Sequence, residues 1–199
     1  KYSFKKYLTK TNHMFHGCSS LININLSNFN TEYVTNMSEM FLGCHSLINI
    51  ELSNLNTENV TNMECMFCNC LSLKNLNLSN FRTQDVIIMN SMFDGCSSLI
   101  NLDLSNFNTE SVTEMICMFH KCSSLKSINL SNFNTGKVIG MREMFAGCSS
   151  LENINLSNFK TEEVFDMCGF FAGCSSLKID NIISHDMRIF LMFKRCHFH

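Results

Sequence analysis

The sequence has no proline, no tryptophan, few charged residues (16%) and no apolar run long enough to cross a bilayer. The last absence excludes a transmembrane helix, which needs about 20 consecutive apolar residues. A formal net charge of −2 gives no electrostatic basis for nucleic acid or an anionic membrane as the main partner. The order of charged, apolar and small residues that marks a signal peptide is also missing after Lys1. The chain therefore carries no address, and its start leads us to expect that a longer protein once preceded Lys1. The missing proline and tryptophan, set against abundant Asn, Ser, Ile and Phe, fit a low-GC coding bias and say nothing about chemistry. Disorder is excluded by a hydrophobic fraction of 45%, enough to build a core.

What is present is repetition. Cys18, Cys44, Cys70, Cys96, Cys122, Cys148 and Cys174 recur at one constant interval without a slip. The phrase L-S-N-F-x-T-x-x-V-x-x-M recurs at 26–37, 52–63, 78–89, 104–115, 130–141 and 156–167, with Leu55 in place of Phe in the second copy. A fixed period of this length marks a solenoid, whose units bury their apolar faces only by stacking on neighbours.

Each unit reads in two halves. Leu21, Ile24 and Leu26 give L-x-x-I-x-L, whose alternating end predicts a short strand. Val34, Met37, Met40 and Phe41 fall at i, i+3, i+6 and i+7, the stripe of an amphipathic helix. Thr31 is then its expected N-cap, Glu32 sits in its first turn, and Gly43 follows as the left-handed residue that ends it. Gly95, Gly147 and Gly173 repeat that ending, whereas Asn69 and Lys121 replace it in two copies. Most of the fourteen methionines fall in two columns beside the Phe41 column and are expected to be core rather than ligands.

The predicted fold is an α/β repeat, a right-handed β/α superhelix with a parallel sheet on one side and short helices on the other. The expected organisation is one domain. Residues 1–17 form an N-terminal half repeat in which Tyr7, Leu8, Thr11, Met14 and Phe15 share a helical face. Residues 18–173 form six 26-residue repeats, and 174–199 a contracted C-terminal repeat or cap, where the cysteine column shifts to Cys196.

The motif L-x-x-I-x-L, S-N-F-x-T, V-x-x-M and M-F-x-G-C resembles the BspA-like leucine-rich repeat of bacterial surface proteins, over residues 11 to 177. The resemblance implies a leucine-rich-repeat solenoid, an extracellular or cell-surface location, adhesion to host or neighbouring-cell proteins, and no enzymatic activity. Commoner leucine-rich repeats carry Asn where this chain has Phe29, Leu55, Phe81 and Phe107. Their backbone-bonding Asn ladder is thus expected to give way to an apolar spine.

The remaining reactive residues are expected to be structural. The cysteine column packs as free, buried thiols, because stacked Cβ vectors hold the sulfurs side by side rather than facing. Cys65 and Cys68 form a C-x-x-C with no second pair, in columns that hold Glu39, Leu42, Ser91 and Asp94 elsewhere. His13, His16, His45, His120, His185, His197 and His199 show no metal or triad motif, and the tail of His197, Phe198 and His199 is expected to be solvated. N-x-[ST] at Asn25, Asn36, Asn59, Asn77, Asn129 and Asn155 is a by-product of the repeat. No residue is assigned as catalytic, cofactor-binding or metal-binding.

The expected function is a non-catalytic protein-interaction module; the alternative is a spacer with no ligand of its own. The partner is expected to be a protein, without nucleic acid or membrane insertion, and the open ends of the stack could self-associate. By the period-two rule the residues between buried strand positions point outward. The candidate partner-binding face is Glu51, Lys74, Asn75, Asn77, Ile100, Asn101, Asp103 and Lys126, in rows of amides with charge and Ile interspersed.

Overall fold

A computed structural model describes residues 7–197. The chain winds in successive coils, one for each sequence repeat, and each coil contributes one extended segment. Six short strands run parallel: β1 (Asn23–Asn25), β2 (Asn49–Glu51), β3 (Asn101–Asp103), β4 (Ser127–Asn129), β5 (Ile154–Asn155) and β6 (Ile182–Ile183). They form three parallel pairs, β1–β2, β3–β4 and β5–β6, rather than one continuous sheet. Asn23 faces Asn49 and Asn101 faces Ser127, so the pairing is in register with the repeat. The intervening segment 75–77 lies outside any strand.

The helical half of the expectation is overturned. The only α-helix among the described residues is α1 (Met187–His197), after the last coil. Where helices were expected, the backbone alternates between two kinds of hydrogen bond. Met37, Glu39, Phe41 and Gly43 donate N–H to Asn62, Glu64, Met66 and Cys68 of the next coil, at 2.8–3.0 Å. Met40, Leu42 and Cys44 instead donate three residues back, to Met37, Glu39 and Phe41. Single-residue parallel bridges run unbroken along this side through Lys10, Asn36, Asn62, Ile88, Glu114, Gly140 and Asp166. The continuous ladder therefore lies on the side expected to be helical.

The left-handed residues explain why no helix forms. Glu39 has φ 56° and Gly43 φ 74°, each the third residue of a four-residue turn. The Glu39 column repeats this at Cys65, Ser91, Cys117 and Glu143, and a right-handed helix cannot pass through such a residue. Spacings of three and four bury the same side chains either way. Val34, Met37, Met40, Phe41 and Cys44 are fully buried, as are their counterparts through the central coils. The spacing thus identified the core while misassigning the backbone that carries it.

Columns of like residues run through the core. Phe15, Phe41, Phe67, Phe93, Phe119 and Phe145 stack near-parallel with centroids 5.3–5.8 Å apart. In a second column Phe81 stacks on Phe107 and Phe133 on Phe159. All twelve cysteines are free. Cys70, Cys96, Cys122, Cys148 and Cys174 each donate Sγ–H to a Phe carbonyl 29 residues earlier, at 3.0–3.3 Å. Cys18, at the head of the column, is exposed, because it sits in the first coil.

Thr31 is not an N-cap. Its hydroxyl donates to Asn56 O and accepts from Asn56 N–H, both at 2.8 Å, tying one coil to the next. Thr57, Thr83, Thr109 and Thr135 do the same with Arg82, Asn108, Asn134 and Lys160. The backbone-bonding Asn ladder is not lost either; it sits one position before the Phe spine. Asn80 Nδ2 donates to Leu52 O and Leu55 O, and Asn106 to Leu78 O and Phe81 O, at 2.9–3.0 Å.

The two ends differ. Tyr7, Leu8 and Met14 are exposed and share no helical face, since residues 12–17 form turns. At the other end α1 packs Phe193 against Phe171 and buries Ile189. Asp186 accepts the Thr161 hydroxyl at 2.6 Å, and the Arg188 guanidinium donates to Thr161 O and Val164 O. These side chains meet polar groups that another coil would otherwise have met. Phe198, His199 and the side chain of His197, the tail expected to be solvated, lie outside the described residues.

Candidate interaction surface

The strand rows form the floor and rim of a shallow groove of about 790 Å³. Ile24, Ile50 and Leu76 lie along its floor, with Glu51, Asn75, Asn77, Asn101 and Asp103 among the residues at its rim. The groove follows from the two-residue alternation. Ile50 and Leu76 point inward, whereas their neighbours on both sides are exposed. Lys74 and Ile100 are exposed on the same coils but do not line it, and Lys126 is exposed on the next coil, outside it. Ile22, Ile48 and Ile100 remain more than 40% exposed in that outer row, a repeated apolar element beside the amides.

The rim residues are partly committed to the protein's own backbone. Glu51 accepts Ser53 N–H at 2.8 Å, Asn77 accepts Ser79 N–H at 3.0 Å and Asp103 accepts Ser105 N–H at 2.9 Å. These bonds, with the seryl hydroxyls, hold the carboxyls of Glu51 and Asp103 below their ordinary range. Both acids thus stay charged at the groove edge, with one carboxylate oxygen pinned. In the middle row Asn49 Nδ2 donates to Asn23 Oδ1 at 2.7 Å, an amide rung between coils. That rung preorganises Asn23 and Asn49, and the bonds to Ser53, Ser79 and Ser105 do the same for Glu51, Asn77 and Asp103, so these side chains have less freedom left to lose.

The opposite edge of each coil gathers thiols, imidazoles and carboxylates. The Cys68 thiol donates to Cys65, which lowers the Cys65 value and raises that of Cys68. His13, His16 and Glu39 converge, as do Cys117, His120 and Glu143. No motif spans these triplets, because the third member comes from the next coil, close to one full repeat further along the chain. Folding the sequence on its own period would have brought them together.

Comparisons with known proteins bear on fold and family. A family described as "Mycoplasma protein of unknown function, DUF285" matches residues 5–99 and 72–185. Comparison with curated proteins gives no match. A leucine-rich repeat protein from Bacteroides ovatus superposes with TM-score 0.60 at 21% identity, over 91% of this chain and 43% of its own. The T. pallidum leucine-rich repeat protein gives TM-score 0.60 at 25% identity, over 93% of this chain and 77% of its own. This chain thus spans less than half of the Bacteroides protein. With its coils matched by those of leucine-rich repeat proteins, the resemblance to the BspA-like repeat holds, and the chain belongs to the DUF285 family.

Proposed function

We propose that this chain is a non-catalytic protein-interaction module, acting at the cell surface in adhesion to a host or neighbouring-cell protein. The groove along the strand rows carries the reading, because its rim is a rigid set of amides and two charged acids over an apolar floor. The partner it suits presents an extended segment whose backbone meets the Asn75 and Asn101 amides and whose Lys or Arg meets Glu51 or Asp103. The spacer reading draws support from the rim bonds to Ser53, Ser79 and Ser105, which a purely structural amide row would also make.

The two readings separate in a binding assay on extracellular matrix and cell-surface proteins with the purified chain. Ile100→Ser with Asp103→Ser should weaken capture at least tenfold while leaving the melting curve within about 1 kcal/mol, as for surface changes. Ile139→Ser with Phe165→Ser, on a separate exposed column, should leave capture unchanged. The reverse pattern moves the site off the strand face, and no saturable binding by the parent chain supports the spacer.

A further inference from the structure

The edge formed by the left-handed turn residues carries two columns of side chains, mostly half-buried, with Cys68 and Ala146 buried. One runs His13, Glu39, Cys65, Ser91, Cys117, Glu143; the other runs His16, Leu42, Cys68, Asp94, His120, Ala146. Side chains three residues apart in one coil sit side by side there, and the next coil supplies a third neighbour. His13, His16 and Glu39 occupy one such set of three places. Cys117, His120 and Glu143 occupy the same three places four repeats further on.

The geometry of the first set is that of a coordination shell. His13 Nδ1 and His16 Nδ1 are 3.3 Å apart. Glu39 Oε2 lies 3.0 Å from the first and 3.2 Å from the second. Bonds of about 2.0–2.1 Å to a tetrahedral Zn²⁺ place ligand atoms about 3.3–3.4 Å apart, so these atoms already span one face of that tetrahedron. Glu39 Oε2 can accept an N–H from each imidazole; the same three atoms, with both Nδ1 unprotonated, can instead share a cation.

The second set has a softer donor and a built support. His120 Nδ1 is held by Asp94 Oδ1 at 2.9 Å, which leaves Nε2 free to ligate, 3.9 Å from Glu143 Oε2. Arg142 Nε holds the other oxygen, Glu143 Oε1, at 3.2 Å. A carboxylate behind a ligating imidazole is the common outer shell of zinc sites. With Cys117, the three donor atoms lie within 4.8 Å of one another, so modest side-chain rotation closes the set.

We propose that this edge binds two divalent transition-metal ions of the zinc class, one on His13, His16 and Glu39 and one on Cys117, His120 and Glu143. Each site has three protein ligands, and its position on the surface leaves the fourth place to water or to a donor from a partner. The middle coil, with Cys65, Cys68 and Ser91 in the same three places, lacks the third ligand and takes no ion of its own. The sites lie away from the strand groove and do not depend on its role.

The test is zinc titration of the reduced chain against a chromophoric chelator. The wild-type protein should bind two Zn²⁺ at micromolar free metal. H13A/H16A and C117S/H120A should each retain one, the lost site weakening by more than the 10–100-fold typical of disturbing a metal's surroundings. C65S/C68S should keep both. Co²⁺ loading adds an independent readout, since a sulfur-to-cobalt absorption band should vanish in C117S/H120A and persist in H13A/H16A. All these positions sit at the coil edge, and circular dichroism of each variant checks the fold. No zinc bound by the wild type at that concentration, two ions retained in either ligand variant, or loss of an ion in C65S/C68S overturns the assignment.

Discussion

Replacing Phe93 by alanine perturbs the stack at its centre. Phe93 is fully buried, and its ring lies 5.8 Å from Phe67 and 5.7 Å from Phe119, near-parallel to both. Truncating a buried Phe costs about 3–5 kcal/mol through lost transfer energy and the cavity left behind. Phe93 loses two stacked pairs, each worth about 0.5–1.5 kcal/mol, which places its cost in the upper part of that range, about 4–5 kcal/mol. The surrounding coils cannot collapse into the gap without breaking the bonds from Phe67 N–H to Met92 O and from Phe93 N–H to Met118 O. Phe15 is the control: it is partly buried and has one stacked neighbour, so Phe15→Ala should cost only about 1–2 kcal/mol. Urea unfolding followed by circular dichroism measures both, and hydrogen exchange should show lost protection spreading to the coils on either side of Phe93. Equal costs for the two variants, or a loss confined to one coil, would refute the nearest-neighbour picture.

Thr109→Ala should cost about 2–4 kcal/mol in the same assay. It strips both Asn134 N–H and Asn134 O of their partner at about 1–2 kcal/mol each, since Asn134 is exposed and water replaces part of the loss, whereas losing a helix cap would cost only about 1 kcal/mol. Lys121→Gly should stabilise by about 1 kcal/mol, since Lys121 holds φ 55° where most other copies have glycine; an unchanged or lowered midpoint contradicts that. Burial pushes the Cys44 thiol up to about 11 and Cys96 and Cys174 up to about 12. A raised thiol value contributes stability that is complete below the unfolded value of 9.0 and lost as pH rises toward 12. Unfolding free energy should therefore hold steady below pH 9.0 and then fall by up to about 1.4 kcal/mol per pH unit for each such thiol. In a native titration with a thiol reagent at neutral pH, Cys18 and Cys168 should react quickly and the buried column only after denaturation.

The sequence disclosed the core columns because burial imposes identity on them: Cys, Phe, Met and Val cannot vary where each ring or thiol packs on its own image. It misled on the second half of the coil because apolar spacings of three and four suit a chain of turns as well as a helix. Only the sign of φ at Glu39, Cys65 and Ser91 separates the two, and these residue types do not advertise a left-handed backbone. Thr31 shows the same ambiguity, since a buried hydroxyl that pairs with the next coil looks in sequence like a cap. The exposure of the rim residues was legible through alternation, but their bonds to Ser53, Ser79 and Ser105 were not, because a Glu, Asn or Asp two residues before Ser also fits a free surface. The triplets at the coil edge were hidden by distance along the chain, the third ligand being about one full period away from the other two.

Site-specific photo-crosslinking tests the proposed role most directly. A photoreactive residue is placed at Asn75, on the groove rim, and in a second protein at Ile139, on a different exposed column. Each protein is exposed to extracellular matrix and cell-surface proteins and then irradiated. The account predicts a saturable adduct with one protein partner from position 75, competed away by unlabelled chain and absent from position 139. Adducts from position 139 alone, or from neither position, would contradict a partner-binding strand face.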